Sequence, residues 1–268
     1  FAKNAKVAHI DIDPAEIGKI VKTDLPVVGD AKRALEILLT FDAPATDFSK
    51  WVSQVQDNAQ RAPYSYEPEP NFNKPQEVIK LIGELTNGDA IIVTDVGQHQ
   101  MWAAQWYPYK SNRQLITSGG LGTMGFGIPA AIGAKLANPD KEVIVFVGDG
   151  GFQMTNQELA ILNQNNLDIK FVLMNNQSLG MVRQWQEKFF NERRSQSVFH
   201  EQPDFMKMAE AYGIANKKIT EPNNLEKELT EAFATPGPML IEVMICNREH
   251  VLPMIPAGMP NDQMLGVD

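Results

Sequence analysis

Two short polar segments, each preceded by an apolar run, contain the residues best suited to bind a metal ion. Segment 148–151 (Gly-Asp-Gly-Gly) follows the apolar run 143–147, and the pair 175–176 (Asn-Asn) follows the run 170–174. Asp149 offers a hard carboxylate oxygen and Asn176 a neutral amide oxygen. With one backbone carbonyl and phosphate oxygens these ligands suit octahedral Mg²⁺, which takes few protein ligands and completes its shell with phosphates and water.

Either segment alone is weak evidence, because Gly-Asp-Gly and Asn-Asn are most often turns or caps. Their placement together is stronger evidence, since each follows an apolar strand and one helix separates them along the chain. In open parallel sheets, ligands bind beyond the carboxyl ends of the strands. We therefore predict that Asp149 and Asn176 meet at one edge of a sheet.

Two further segments could complete a site for a diphosphate and an aromatic ring. Segment 95–99 (Asp-Val-Gly-Gln-His) follows a third apolar strand and offers a helix N-terminus, the amide of Gln98 and the imidazole of His99. Segment 118–125 (SGGLGTMG) is rich in glycine, while Leu121 and Met124 supply apolar surface. Taken singly, His99 reads as a polar residue at a helix start and Met124 as core filler.

The elements that must position these segments alternate between strand and helix. Continuous apolar strands separated by amphipathic helices predict an α/β fold with a parallel sheet flanked by helices on both faces. The predicted strands are 90–94, 115–116, 143–147, 170–174 and 239–245, and the predicted helices are 75–86, 98–106, 122–137, 155–164, 179–189, 204–212 and 225–233.

The chain before this domain has a different character. Residues 1–40 read as strand 7–13, a short helix opening at Pro14, a strand near 27–30 and helix 31–39, which is the tail of a second α/β domain. Residues 41–73, rich in proline, read as a linker with a helix near 47–59. We predict the site-bearing domain at 74–268. Because Phe1 begins inside a piece of a domain, we expect the chain to be the C-terminal part of a longer protein.

Composition limits the class of protein. The net charge of −9 and a pI near 5.0 disfavour nucleic acid as a partner. Cys246 is the single cysteine, reads as a strand core residue, and fits a reducing, cytoplasmic location. No apolar run reaches the roughly 20 residues that span a bilayer, so no membrane contact is expected.

The spacing from Gly148-Asp149-Gly150 to Asn176 resembles the signature of thiamine diphosphate enzymes. Four further segments, 97–102 (GQHQMW), 118–125, 180–185 (GMVRQW) and 249–256 (EHVLPMIP), resemble the acetolactate (acetohydroxyacid) synthase catalytic subunits of that family, and the likeness covers nearly the whole chain. The resemblance implies the thiamine diphosphate-binding fold, with residues 1–40 as the end of a central, FAD-binding domain.

The resemblance also implies roles for individual residues. The metal ligands would be Asp149, Asn176 and the carbonyl of Ser178, and FAD would contact Asp11, Ile12 and Asp30. Met124 would hold the cofactor bent, and Trp185 would stand at the substrate channel and favour 2-ketobutyrate. A serine is common among relatives at position 151, and we expect that difference to matter little. The remaining implied thiamine diphosphate contacts are Val96, Gly97, Gln98, His99, Gly122, Gly150, Gly151, Leu179, Gly180 and Met181.

The implied activity is acetolactate synthesis for branched-chain amino acids, in which pyruvate is decarboxylated on thiamine diphosphate and the two-carbon unit is transferred to pyruvate or 2-ketobutyrate. The implied partners are a second copy in a homodimer or tetramer, and a small regulatory subunit. By the resemblance the catalytic glutamate belongs to an N-terminal domain, so we expect this polypeptide alone to turn over negligibly. The alternatives are another thiamine diphosphate enzyme, of pyruvate oxidase or glyoxylate carboligase type, and a non-catalytic nucleotide-binding module.

Overall fold

The computed structural model describes residues 4–42 and 46–267. The first residues of the predicted tail, including Phe1, and residues 43–45 of the predicted linker lie outside the described residues. Two compact units are present, one formed by Phe1–Pro63 with Pro253–Asp268 and the other by Tyr64–Leu252. The domain boundaries at 40 and 73 stay a prediction.

The larger unit is built on one parallel sheet, as the alternation of strands and helices predicted. The six strands of this sheet are β3 (Ile91–Thr94), β4 (Leu115–Thr117), β5 (Val143–Gly148), β6 (Lys170–Asn175), β7 (Ala215–Ile219) and β8 (Met239–Met244). They lie in the order β4-β3-β5-β6-β8-β7, and every neighbouring pair is parallel.

Helices cover both faces of this sheet. One face packs against α3 (Pro75–Leu85), α4 (Gln98–Trp106) and α9 (Leu225–Ala234), and the other against α5 (Gly127–Ala137), α6 (Asp149–Thr155) and α8 (Phe205–Ala211). Successive side chains of β5 point to opposite faces of the sheet. Phe146 packs in the core on the side of α3, α4 and α9, whereas Val145 and Val147 pack in the core on the other side. The remaining helix of this unit is α7 (Gly180–Phe189), and 3-10 turns occupy Asn156–Ile161 and Pro222–Asn224.

The smaller unit contains the paired strands β1 (Ala8–Asp11) and β2 (Leu25–Val28) and the helices α1 (Ala31–Leu38) and α2 (Ser49–Arg61). The short helix predicted at Pro14 is wrong. Residues 14–20 form turns instead, and Gly18 has a φ of +71°, a left-handed conformation that ends any right-handed helix. Among the described residues, no helix is both long and apolar enough to cross a membrane.

The apolar core predicts the response to truncation at Phe171. This side chain is fully buried on β6, and its removal leaves a cavity between the sheet and the helices. We expect Phe171→Ala to lower the free energy of unfolding by about 3–5 kcal/mol, measured by denaturant titration. Leu136→Ala, at an exposed position on α5, is the matched control and should change it by less than about 1 kcal/mol.

Candidate functional site

The loops that follow β3, β4, β5 and β6 meet around one cavity of about 220 Å³. The chain leaves β3 for β4 on one side and returns to β5 on the other, so the cavity lies where the direction of winding reverses, the place where open α/β sheets bind ligands. The residues assigned above to thiamine diphosphate and its metal all line it: Val96, Gly97, Gln98, His99, Gly122, Met124, Asp149, Gly150, Gly151, Asn176, Ser178, Leu179, Gly180 and Met181.

The predicted metal ligands converge at the floor of this cavity. The backbone N–H of Ser178 donates to Asp149 Oδ2 and to Asn176 Oδ1, both at 3.1 Å, so the two side-chain oxygens lie close to one point. Both side chains are buried. Among the described residues no cluster of three His, Cys, Asp or Glu side chains could hold a metal. A cation at this point would therefore depend on one carboxylate, amide and carbonyl oxygens, and oxygens of its ligand.

The electrostatics of Asp149 suit a cation. Burial raises the pKa of its carboxyl group to about 7, against the opposing effect of hydrogen bonds from Gln202, Gly150 and Ser178. A buried carboxylate of this kind is stabilised in its charged form by an adjacent positive ion. The arrangement fits a divalent cation better than it fits an isolated protein carboxylate.

His99 lies in the wall of the cavity as a neutral imidazole. Burial lowers its pKa to about 4, although Asp95 acts in the opposite direction. Its Nε2 atom is buried and has no hydrogen-bond partner. Since a buried polar atom normally has a partner, this nitrogen is an available contact for a ligand in the cavity. His99 lies in the first turn of α4, and this helix begins at Gln98 as predicted.

The Gln98 side chain is occupied by contacts within the protein. Its Oε1 accepts from Asn176 Nδ2 at 3.1 Å, and its Nε2 donates to Gln184 Oε1 at 2.8 Å and to the Glu249 carbonyl at 2.9 Å. The Gln98 amide therefore holds Asn176 beside the metal position. It is not free to bind a diphosphate, contrary to what the sequence had suggested. A ligand would meet the backbone of Gln98 at the start of α4.

Asp95 belongs to a segment that the sequence singled out, but its role in positioning the loop before α5 was not predicted. Its buried carboxylate accepts from the backbone N–H groups of Gly125 at 3.1 Å and Gly127 at 2.8 Å. This cap explains why α5 begins at Gly127 and the predicted start at Gly122 is wrong, since residues 122–126 form a loop that carries Met124 into the cavity. A carboxylate directly after a buried strand was the available signal.

The expectation that a side chain at position 151 would matter little is wrong because of the Asp95 carboxylate. A Cβ atom at Gly151 would overlap Asp95 Oδ1, and Asp95 is held by two backbone donors. A serine there requires the Asp95 carboxylate to move. The helix predicted at 155–164 is also wrong, because α6 begins at Asp149 itself and is followed by a 3-10 turn.

Trp185 does not line this cavity. It is 38% exposed, stacks edge-on against Phe189 with ring centroids 5.2 Å apart, and lines a neighbouring, more open depression. Met181 and Val182 line both, so helix α7 runs from one to the other. Leu121 is 94% exposed and is not among the cavity-lining residues, so its predicted apolar contribution is wrong.

The predicted FAD contacts lie in the smaller unit. Asp11 ends β1 and its Oδ1 accepts from the backbone N–H of Asp13 at 2.8 Å. Asp30 follows β2 and caps α1 by accepting from the backbone N–H of Arg33 at 2.9 Å. Ile12 is 72% exposed. The two carboxylates follow neighbouring parallel strands at the same edge of this two-stranded sheet.

Several curated proteins are similar to this chain over almost its whole length. The chain is 65% identical over 266 residues to the acetolactate synthase large subunit of Lactococcus lactis, covering 99% of this chain and 46% of that protein. It is 44% identical to a chloroplastic acetolactate synthase of Arabidopsis thaliana and 43% identical to one of Nicotiana tabacum, in each case over 96% of this chain and 40% of the relative. The chain therefore spans less than half the length of these relatives.

Two family models match the chain in different places. The central domain of thiamine pyrophosphate enzymes matches residues 1–38, and their C-terminal TPP binding domain matches residues 95–243. The second match contains all four loops of the cavity and argues against a nucleotide-binding module of another family. Because it also covers more than half of the chain, the chain belongs to the thiamine pyrophosphate (thiamine diphosphate) enzymes.

Proposed function

We propose that this chain carries the diphosphate-and-metal site of an acetolactate synthase, which decarboxylates pyruvate and transfers the two-carbon unit to pyruvate or 2-ketobutyrate. The observation that carries the proposal is the cavity in which the oxygens of Asp149 and Asn176 converge beside two helix starts. The named relatives favour acetolactate synthesis over the other reactions of the family.

The metal in this proposal is Mg²⁺. Asp149, Asn176 and the carbonyl of Ser178 would be its protein ligands, with the diphosphate supplying further oxygens. The first turns of α4 and α7 line the cavity, where their backbone N–H groups would stabilise the negative diphosphate. Neutral His99 could donate or accept a hydrogen bond there without adding charge.

The apolar part of the cavity would bind the rings of the cofactor. Thiamine diphosphate, when bound, supplies the electron sink that allows carbon dioxide to leave a 2-keto acid. Met124, Leu179 and Met181 line this part and would exclude water from the reacting atoms. Gly150 leaves room beside them, since a Cβ atom there would meet the Leu179 side chain.

Further components of the proposal lie outside this cavity. FAD would contact Asp11, Ile12 and Asp30 in the smaller unit, at the ends of β1 and β2. The complete enzyme would be a homodimer or tetramer and would bind a small regulatory subunit. These assignments rest on the family resemblance.

The proposal is tested by product analysis with the complete protein that carries this sequence, supplied with pyruvate, thiamine diphosphate, Mg²⁺ and FAD. Formation of acetolactate is expected. Acetaldehyde or acetyl phosphate in its place would show a thiamine diphosphate enzyme of another reaction class and would overturn the assignment as a synthase.

Trp185 is proposed to select the acceptor 2-keto acid. We expect Trp185→Leu to lower the preference for 2-ketobutyrate over pyruvate by about 10-fold, because a large aromatic wall is removed beside the longer acceptor. Competition between the two acceptors, followed by the ratio of products, measures this preference. Phe72→Leu, at an exposed aromatic residue that lines neither the cavity nor this depression, is the matched control and should leave the product ratio unchanged. An unchanged product ratio in Trp185→Leu would remove Trp185 from the acceptor site.

A further inference from the structure

A series of hydrogen bonds runs from the edge of the sheet, through the buried residues Glu242 and Asn175 and the half-buried Gln202, to the metal-binding position. Lys218 on β7 pairs with Glu242 on β8, its register partner, at 3.1 Å. Glu242 Oε1 accepts from Asn175 Nδ2 at 2.7 Å, and the same Nδ2 donates to Gln202 Oε1 at 2.9 Å. Gln202 Nε2 then donates to Asp149 Oδ2 at 2.6 Å. Of these residues, only Asp149 has a metal-binding role predicted from the sequence.

The Glu242 carboxylate determines which way the side-chain amides of Asn175 and Gln202 are turned. A carboxylate only accepts hydrogen bonds, so Glu242 must face the NH₂ group of Asn175. The Oδ1 atom of Asn175 accepts from the backbone N–H of Gln177 at 2.9 Å, which requires the same orientation. Because Asn175 then donates to Gln202 Oε1, the NH₂ group of Gln202 has to face Asp149.

Burial makes these orientations costly to change. Asp149, Asn175 and Glu242 are each at most 2% exposed, and Lys218 balances the charge of Glu242. If either amide turned over, two hydrogen-bond acceptors would face each other. Each would then be left without a partner, and the lost solvation of these groups would lower the stability. Gln202 lies in the segment before α8, outside the β6 loop that carries Asn176 and Ser178, so two separate segments of the protein hold the same carboxylate.

We propose that Gln202, oriented by Asn175 and Glu242, is a positioning residue that fixes the Asp149 carboxylate for metal binding. The inference rests on the proposed function, because it assigns to Asp149 the role of a metal ligand. One Asp149 oxygen is held by Gln202 and Ser178 and the other by the backbone N–H of Gly150 at 3.0 Å. Partners that orient a ligating carboxylate typically change metal affinity by 10–100-fold when removed.

The test is the affinity for Mg²⁺ at saturating thiamine diphosphate, measured by calorimetry on the complete protein, with thermal unfolding of the metal-free protein measured beside it. Gln202→Met keeps the length of the side chain and removes its donor, and we expect about 10-fold weaker Mg²⁺ binding. Glu242→Gln allows the Asn175 amide to turn and should weaken binding in the same direction. Gln164→Met, at an exposed position, is the control and should leave the affinity unchanged.

The outcomes separate the two proposals. If the wild type binds Mg²⁺ and Gln202→Met binds it within about twofold as tightly, the positioning role is wrong while the proposed function stands. A lower melting temperature with unchanged Mg²⁺ affinity would likewise show a purely structural contact. If Gln202→Met does not fold, Glu242→Gln decides by the same comparison. A wild type without Mg²⁺-dependent cofactor binding overturns both proposals.

Discussion

Replacing Asp149 by Asn is expected to weaken Mg²⁺-dependent binding of thiamine diphosphate by at least about 100-fold, measured by calorimetric titration. Among the described residues that line the cavity, Asp149 carries the only carboxylate, so the substitution removes the only formal negative charge that the protein offers the cation there. The amide also places an NH₂ group against donors, because Gln202, Ser178 and Gly150 all donate to this side chain. The loss therefore combines charge and orientation.

Asp140→Asn is the matched control, since Asp140 is exposed after α5 and its replacement should leave cofactor binding unchanged. Binding by Asp149→Asn within a few fold of the wild type would remove Asp149 from the metal site. The Mg²⁺ assignment would fail with it, because no other carboxylate among the described cavity-lining residues could take its place.

Gly180→Ala is expected to weaken the same binding by at least about 10-fold and to lower the free energy of unfolding by about 1–3 kcal/mol. A Cβ atom at Gly180 would overlap Gln98 Oε1 and crowd Asn176 Nδ2, the two atoms that form the hydrogen bond between these side chains. The Gln98 side chain does not yield freely, since it is also held by Gln184 and Glu249. The methyl group therefore displaces Asn176 from the metal position.

The control for this substitution is Gly133→Ala, in the middle of helix α5. A Cβ atom there has nothing within 4 Å, and alanine favours a helix by up to about 1 kcal/mol over glycine. Gly133→Ala should leave the cofactor affinity unchanged and hold or raise the stability. If Gly180→Ala also binds Mg²⁺ and thiamine diphosphate normally, the Gln98–Asn176 contact does not position the metal ligand.

The sequence predicted helix α4 and strands β5 and β6 correctly, because residues close together in the chain determine these elements. Helix α4 has the predicted bounds, and β5 and β6 each extend one residue beyond the predicted run. Their signals are local, since an apolar run of fixed length is followed by a polar turn. Because the carboxyl ends of parallel strands share an edge, the same signals predicted that Asp149 and Asn176 would lie together.

The errors arise where contacts between distant segments decide the structure. The start of α5 depends on the Asp95 carboxylate, which lies 32 residues before Gly127. Strand β7 (Ala-Asn-Lys-Lys-Ile) was missed because an edge strand can carry polar residues, and its pairing with β8 supplies the stability that its composition does not. Gln202 escaped notice for the same reason, since its partner Asp149 is 53 residues away.

Metal-dependent cofactor binding is measured by calorimetric titration of the complete protein with thiamine diphosphate, in the presence of Mg²⁺ and again in the presence of a chelator. We predict binding with Mg²⁺ and its loss on chelation, because the proposed site anchors the diphosphate through a cation held by Asp149 and Asn176. Equal binding with and without Mg²⁺, or no binding under either condition, would contradict this prediction.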